Sequence, residues 1–222
     1  ELLRENIAKS LSVPVIVGNI SAGTWSPPNM LAYVREFGTF GADVAIIILN
    51  KGDMFDFPTF SRLNPNTHPT EKPKLALGEL VSRYIAPRLI RALRLPNNEN
   101  PEFEEKADSG RKSCTPELLE LLEQFSEKEI PLFVLYHPSE DEVLEDGSFS
   151  PKGGYSPIVS FTQDQNIKLY SLAASYGKAV SEGKYPFRDT SHPNSFGQEL
   201  IANFIFRLLE SEGLTTQWSQ RR

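Results

Sequence analysis

The chain has 222 residues, 39% of them apolar and 10% aromatic, which is enough to bury the core of one domain. Its 29 acidic and 23 basic residues leave a net charge of -6, excluding the basic surface that would draw nucleic acid or anionic lipid. No apolar run reaches the roughly 18 residues of a membrane span, so none is expected.

No charged-then-apolar leader opens the chain. Its start at Glu1 rather than Met leaves open a leader, or more, removed ahead of it; the compartment is therefore open between cytoplasmic and exported. The single cysteine, Cys114, cannot form an internal disulfide and reads as an incidental loop thiol.

Leu2, Leu3, Ile7 and Leu11 fall at helical spacing, and Val13-Pro14-Val15-Ile16-Val17 then reads as a buried strand. After the turn Gly18 to Thr24, Pro27 and Pro28 suit a first helical turn; Met30, Leu31, Val34 and Phe37 form its stripe, and Gly38 stops it. Asp43 to Leu49 is a continuous apolar run, the pattern of a parallel strand covered on both faces. A Pro/Asn-rich loop over 57–74 precedes a long helix predicted over 75–95, which Pro87 kinks or divides. The polar stretch 96–113 reads as a solvated, flexible insertion. Thr115-Pro116-Glu117 announces a capped helix to about Glu127, and Ile130 to Tyr136 is a second buried strand ending at His137. A short strand is expected within 166–173 and a last helix over 194–209.

Alternation of strand and helix points to one α/β domain with a doubly wound parallel sheet. In such sheets ligands bind beyond the carboxyl ends of the strands. Those ends carry Gly18 to Gly23, Asn50-Lys51-Gly52-Asp53 and His137, and Asp189-Thr-Ser-His192-Pro-Asn194 enters the last helix at the same rim. An Asp three residues before a His can hold the imidazole and fix its tautomer, the base half of a hydrolase triad.

A Gly-Asp pair closing an apolar strand, Gly23 in the preceding turn, and Asp-x-x-His-Pro-Asn-x-x-Gly before the last helix together resemble the SGNH (GDSL-type) hydrolases. The resemblance implies a flavodoxin-like three-layer sandwich and a Ser-His-Asp esterase needing no metal or other cofactor. His192 would be the base and Asp189 its orienter. Gly23 would donate an oxyanion N-H, with Asn50 and Gly52 as weaker candidates because Gly52 stands where the family has an oxyanion-binding Asn. The substrate implied is a small carboxylic ester, such as an acylated sugar or lipid.

The family's Gly-Asp-Ser block has no match before Val13. The expectation is therefore that the first strand and the nucleophile lie outside this chain. Ser21 is the alternative nucleophile, although it stands too close to Asp53 for an intervening helix-strand unit. His137, at the end of a buried strand, could line the cleft and bind substrate, or be a rim histidine hydrogen-bonded to a backbone carbonyl. The acids from Glu140 to Asp146 read as a solvated run rather than a metal site. A non-catalytic SGNH-like domain that binds carbohydrate or a partner protein is the competing function.

Overall fold

The computed structural model describes residues 1–11, 14–23, 25–58, 76–85 and 112–220. The chain divides into two compact units, Glu1–Pro58 with Gly110–Arg222, and Thr59–Ser109. Of the second unit, the described part is a short α-helical segment Ala76–Glu79 continuing as a π-helix Leu80–Ile85. The remainder of the helix predicted over 75–95, the loop over 59–74 with His68, and 96–111 lie outside the described residues.

The first unit is α/β. Its elements are α1 (Leu2–Leu11), α2 (Pro27–Phe37), β1 (Ala45–Leu49), α3 (Thr115–Ser126), β2 (Leu132–Tyr136), α4 (Tyr155–Asp164), β3 (Leu169–Ser171), α5 (Ala173–Ser181), α6 (Ser195–Ser211) and α7 (Leu214–Gln220). The strands form a parallel sheet in the order β1-β2-β3, with Ala45 opposite Leu132, Leu49 opposite Tyr136 and Val134 opposite Leu169.

Alternate residues feed two apolar layers, as a sheet covered on both faces requires. Ile47, Leu49, Val134 and Tyr136 pack with Leu31 of α2, Leu118, Leu121 and Phe125 of α3, and Ile158 and Phe161 of α4. Leu135 turns the other way, onto Tyr176 of α5, Ile205 and Leu209 of α6, Leu214 of α7 and Ile7 and Leu11 of α1. Helices thus cover both faces of the sheet.

Three local expectations change. Of the strand expected at 13–17, the described residues 14–17 are not in a strand: residues 14–20 have no regular structure, and Ile16, Val17 and Ile20 are exposed. Strand preference is realised only against a neighbouring strand, and no described strand pairs there. Cys114 is fully buried, donating its thiol to Asp56 O at 3.2 Å, and occupies the N-cap of α3 in place of Thr115. Helices α4, α5 and α7 carry residues that the sequence reading left unassigned.

Candidate functional site

The carboxyl ends of β1 and β2 and the loop before α6 meet on one rim of the first unit. Lys51 Nζ reaches Asp141 at 2.7 Å, linking the loop after β1 to the loop after β2. Glu140 N donates to Thr190 O at 2.9 Å, linking the β2 loop to the segment that carries Asp189 and His192.

That segment is built from its own residues. Asp189 Oδ1 accepts from His192 N at 3.0 Å and pairs with His192 Nδ1 at 2.7 Å, and Ser191 N approaches the same oxygen at 3.3 Å. The bond from His192, helped by these two backbone N-H groups, holds the Asp189 carboxyl down to about 2. With Asp189 ionised, Nδ1 carries the ring proton. Nε2 of His192 has no hydrogen-bond partner among the described residues. An imidazole held this way turns its second ring nitrogen to whatever enters the rim.

Asn194, which the sequence reading named only within the motif, clamps this loop. Its Nδ2 donates to Tyr185 O at 2.7 Å and to Phe187 O at 3.2 Å, while its Oδ1 caps α6 by accepting from Gly197 N at 2.9 Å. Arg188 N donates to His192 O at 2.8 Å and Asn194 N to Pro186 O at 2.9 Å. A Cβ on Gly197 would stand 2.2 Å from Pro186 O, so the motif's glycine lets segment 186–194 lie against the first turn of α6.

The loop after β2 rests on Glu142, another residue without a signal of its own in the sequence. It is fully buried within an acidic run and accepts from Tyr136 Oη at 2.7 Å, Ser139 N at 2.9 Å and Lys152 N at 2.9 Å. His137 lies buried under the rim, its Nε2 3.0 Å from Tyr176 Oη. Burial lowers its pKa to about 4; a backbone hydrogen bond opposes this, and nearby His192 adds to the lowering. Asp141 is bonded to Lys51 and Lys152. Among the described residues, no three His, Cys, Asp or Glu side chains gather as a metal would require.

The other predicted residues are placed as follows. Gly52 N donates to Asn50 Oδ1 at 2.7 Å, and Asn50 N donates to Asp53 Oδ2 at 2.7 Å. Both oxyanion candidates after β1 are therefore engaged within their own turn. Burial is the main cause that raises the Asp53 carboxyl to about 7. Gly23 is an exposed turn residue, and Ser21 Oγ donates to Asn19 Oδ1 at 2.8 Å rather than to His192. Of the aromatic side chains beside these turns, Trp25 packs on Tyr33 with ring centroids 5.6 Å apart, and Phe55 packs against the first apolar layer.

Beside Glu140 opens a cleft of about 630 Å³, lined by Val143, Val180 and Tyr185 as well as by acidic side chains. Tyr185 donates its hydroxyl to Glu140 and stands edge-on to Phe187, 5.7 Å between centroids, so one wall of the cleft continues into the Asp189 loop.

The chain matches no family model, no curated protein and no solved structure.

Proposed function

We propose that the first unit is an SGNH-type ester hydrolase domain of flavodoxin-like, doubly wound architecture. Its reaction is acyl transfer from a small carboxylic ester such as an acylated sugar or lipid. The observation that carries this reading is one carboxylate oxygen holding both the main-chain N-H and Nδ1 of His192, with Nε2 left open.

In this reading His192 takes the proton of an attacking serine hydroxyl as that oxygen bonds to the ester carbonyl carbon. It returns the proton to the leaving alkoxide as the carbon-oxygen bond breaks. Asp189, ionised, stabilises the imidazolium between the two transfers. Water repeats the sequence on the acyl-enzyme and releases the acid. The cleft beside Glu140 takes the acyl or sugar part, with Tyr185 as the surface on which it lies.

The test is p-nitrophenyl acetate turnover by the chain fused at its amino end to a short apolar strand ending in Gly-Asp-Ser. His192→Ala is expected to reduce turnover by about 10³-fold or more. Undiminished turnover in that variant, with the domain still folded, refutes the reading.

A second reading is a non-catalytic SGNH-like domain that uses the same cleft to bind carbohydrate or a partner. The engagement of Ser21 with Asn19 and of Gly52 N with Asn50 favours it. Glycan binding retained in His192→Ala, with no turnover in the fusion, would select it.

A further inference from the structure

Three consecutive acids, Glu140, Asp141 and Glu142, occupy one 3-10 turn after β2, and each holds a different element. Successive side chains leave such a turn about a third of a revolution apart, so neighbours in sequence can serve separate partners. Glu140 accepts from Tyr185 Oη in the segment before the Asp189-His192 dyad, and Glu142 from Tyr136 Oη at the end of β2. Asp141 reaches the loop after β1. Lys51 Nζ donates to its Oδ1 at 2.9 Å and to its Oδ2 at 2.7 Å, and Lys152 Nζ donates to Oδ2 at 3.2 Å.

Lys51 is fixed at both ends. Its carbonyl accepts from Gly154 N at 3.0 Å, and a Cβ on Gly154 would stand 2.0 Å from that oxygen, so the backbone at 51 lies hard against the start of α4. The turn around it is closed by Asn50 N to Asp53 Oδ2 and by Gly52 N to Asn50 Oδ1, which ties residues 50–53 into one piece. On the other side, Glu140 N donates to Thr190 O at 2.9 Å, and Thr190 stands between Asp189 and the Ser191 N-H that its carboxylate accepts. Two non-covalent links, Lys51 to Asp141 and Glu140 to Thr190, therefore join the Asn50-Gly52 turn to the dyad. The side chains of Lys51 and Asp141 are 19% and 36% exposed, and a pair this open contributes little to stability. What two hydrogen bonds to one carboxylate do supply is a fixed separation.

We propose that Lys51 and Asp141 are positioning residues of the site, their ion pair setting the distance between the turn that carries Asn50 and Gly52 and the imidazole of His192. The inference rests on the hydrolase reading, in which the ester carbonyl is attacked between these two elements. Neither residue touches the reacting atoms. Lys51 acts through the turn it belongs to, and Asp141 acts through Glu140 and Thr190. A displacement of about 1 Å between groups that share a reacting centre costs about 10²-fold in rate, so loss of the pair falls on kcat and leaves substrate binding as it was. Lys152 brings the same charge to the carboxylate but belongs to the chain before α4, not to the β1 turn. Its loss leaves the link in place.

The test measures p-nitrophenyl acetate turnover in the serine fusion described above, and residual dipolar couplings in the whole chain. The couplings report the orientation of the N-H groups of 50–53 relative to those of 189–192. Lys51→Met and Asp141→Asn are expected to lower kcat by about 10- to 100-fold with KM unchanged. Both should also break the single alignment that fits the two sets of couplings in the unaltered chain. Lys51→Arg, which keeps a donor to the carboxylate, should recover most of the rate, and Lys152→Met should cost only a small part of it. Arg35→Met removes the two-point pair with Glu120 between α2 and α3, away from the rim, and should leave rate and couplings as they are. Unchanged kcat for Lys51→Met in an active fusion overturns the proposal, and so do unchanged couplings. A loss that Lys51→Arg does not recover, or that follows the thermal midpoint from variant to variant, overturns it as well, because Lys51 would then serve only the stability of the fold. If no form of the fusion turns over the ester, the hydrolase reading fails. Couplings that change in Lys51→Met and not in Arg35→Met then still uphold the link between the turn and the dyad.

Discussion

Gly197→Ala tests whether the site loop is held by close backbone approach. Gly197 is in the first turn of α6, where exchange to Ala by itself stabilises a helix by about 1 kcal/mol. The added Cβ, however, would meet Pro186 O at 2.2 Å and Pro193 Cβ at 2.9 Å. A backbone carbonyl cannot swing away as a flexible side chain can, so either segment 186–194 or the turn of α6 must move. Forced displacement of this kind costs about 1–3 kcal/mol. Movement also strains the Asn194 cap on Gly197 N, a contact that contributes about 1 kcal/mol. The net expectation is a loss of about 1–3 kcal/mol, or a thermal midpoint lower by about 2–12 °C for a chain of this size. Calorimetry gives the midpoint, and the downfield proton resonance of the Asp189-His192 hydrogen bond reports on the site. That signal should broaden, because Pro186 leads directly into the segment bearing Asp189. The control is Gly18→Ala, where an added Cβ meets nothing within 4 Å. A midpoint for Gly197→Ala that is unchanged or raised would refute the reasoning, since only the gain in helix propensity would then be operating.

Asp53 should impose a pH dependence of the opposite sign to an ion-paired acid. Its carboxyl is raised from 3.8 to about 7, chiefly by burial, so between about pH 4 and pH 7 the folded state binds more protons than the unfolded state. Stability from this group falls as pH rises through that window and is level above it. The difference in urea midpoint between wild type and Asp53→Asn should therefore grow from pH 4 to pH 7, and a difference independent of pH would count against it. Glu142→Gln keeps the shape but replaces one accepting oxygen with a donor facing Tyr136 Oη, Ser139 N or Lys152 N. An expected loss of about 2–4 kcal/mol, measured by urea unfolding, would be contradicted by a change below about 0.5 kcal/mol. Cys114 is fully buried, and burial together with nearby Glu117 pushes its thiol up to about 12. It should react with a disulfide reagent only as fast as the first unit opens, so labelling at the rate of a free thiol under native conditions would contradict its placement.

What could be read in the sequence was chemistry whose partners lie close together along the chain. The dyad is four residues of loop, with acceptor and donors three positions apart, and the sequence places it beside α6 without help from the fold. Strands β1 and β2 are legible because a sheet covered on both faces needs apolar residues at every position, which leaves an unbroken run. The same reasoning failed at 14–17, where the side chains suit a strand but the ladder depends on a neighbour that sequence pattern does not supply.

Helix α5 was hidden for a related reason. Gly177 weakens its helical signal, yet the glycine is required because a Cβ there would stand 2.1 Å from Gly147 O. Glu142 looks like one acid among several solvated ones until Tyr136, Ser139 and Lys152 converge on it. The residues that hold the rim in place are therefore defined by tertiary contacts, whereas the group that faces outward from it is defined locally. A substitution at Asp189 or His192 should change what the rim can do. A substitution at Glu142, Asn194 or Gly197 should change whether the rim exists.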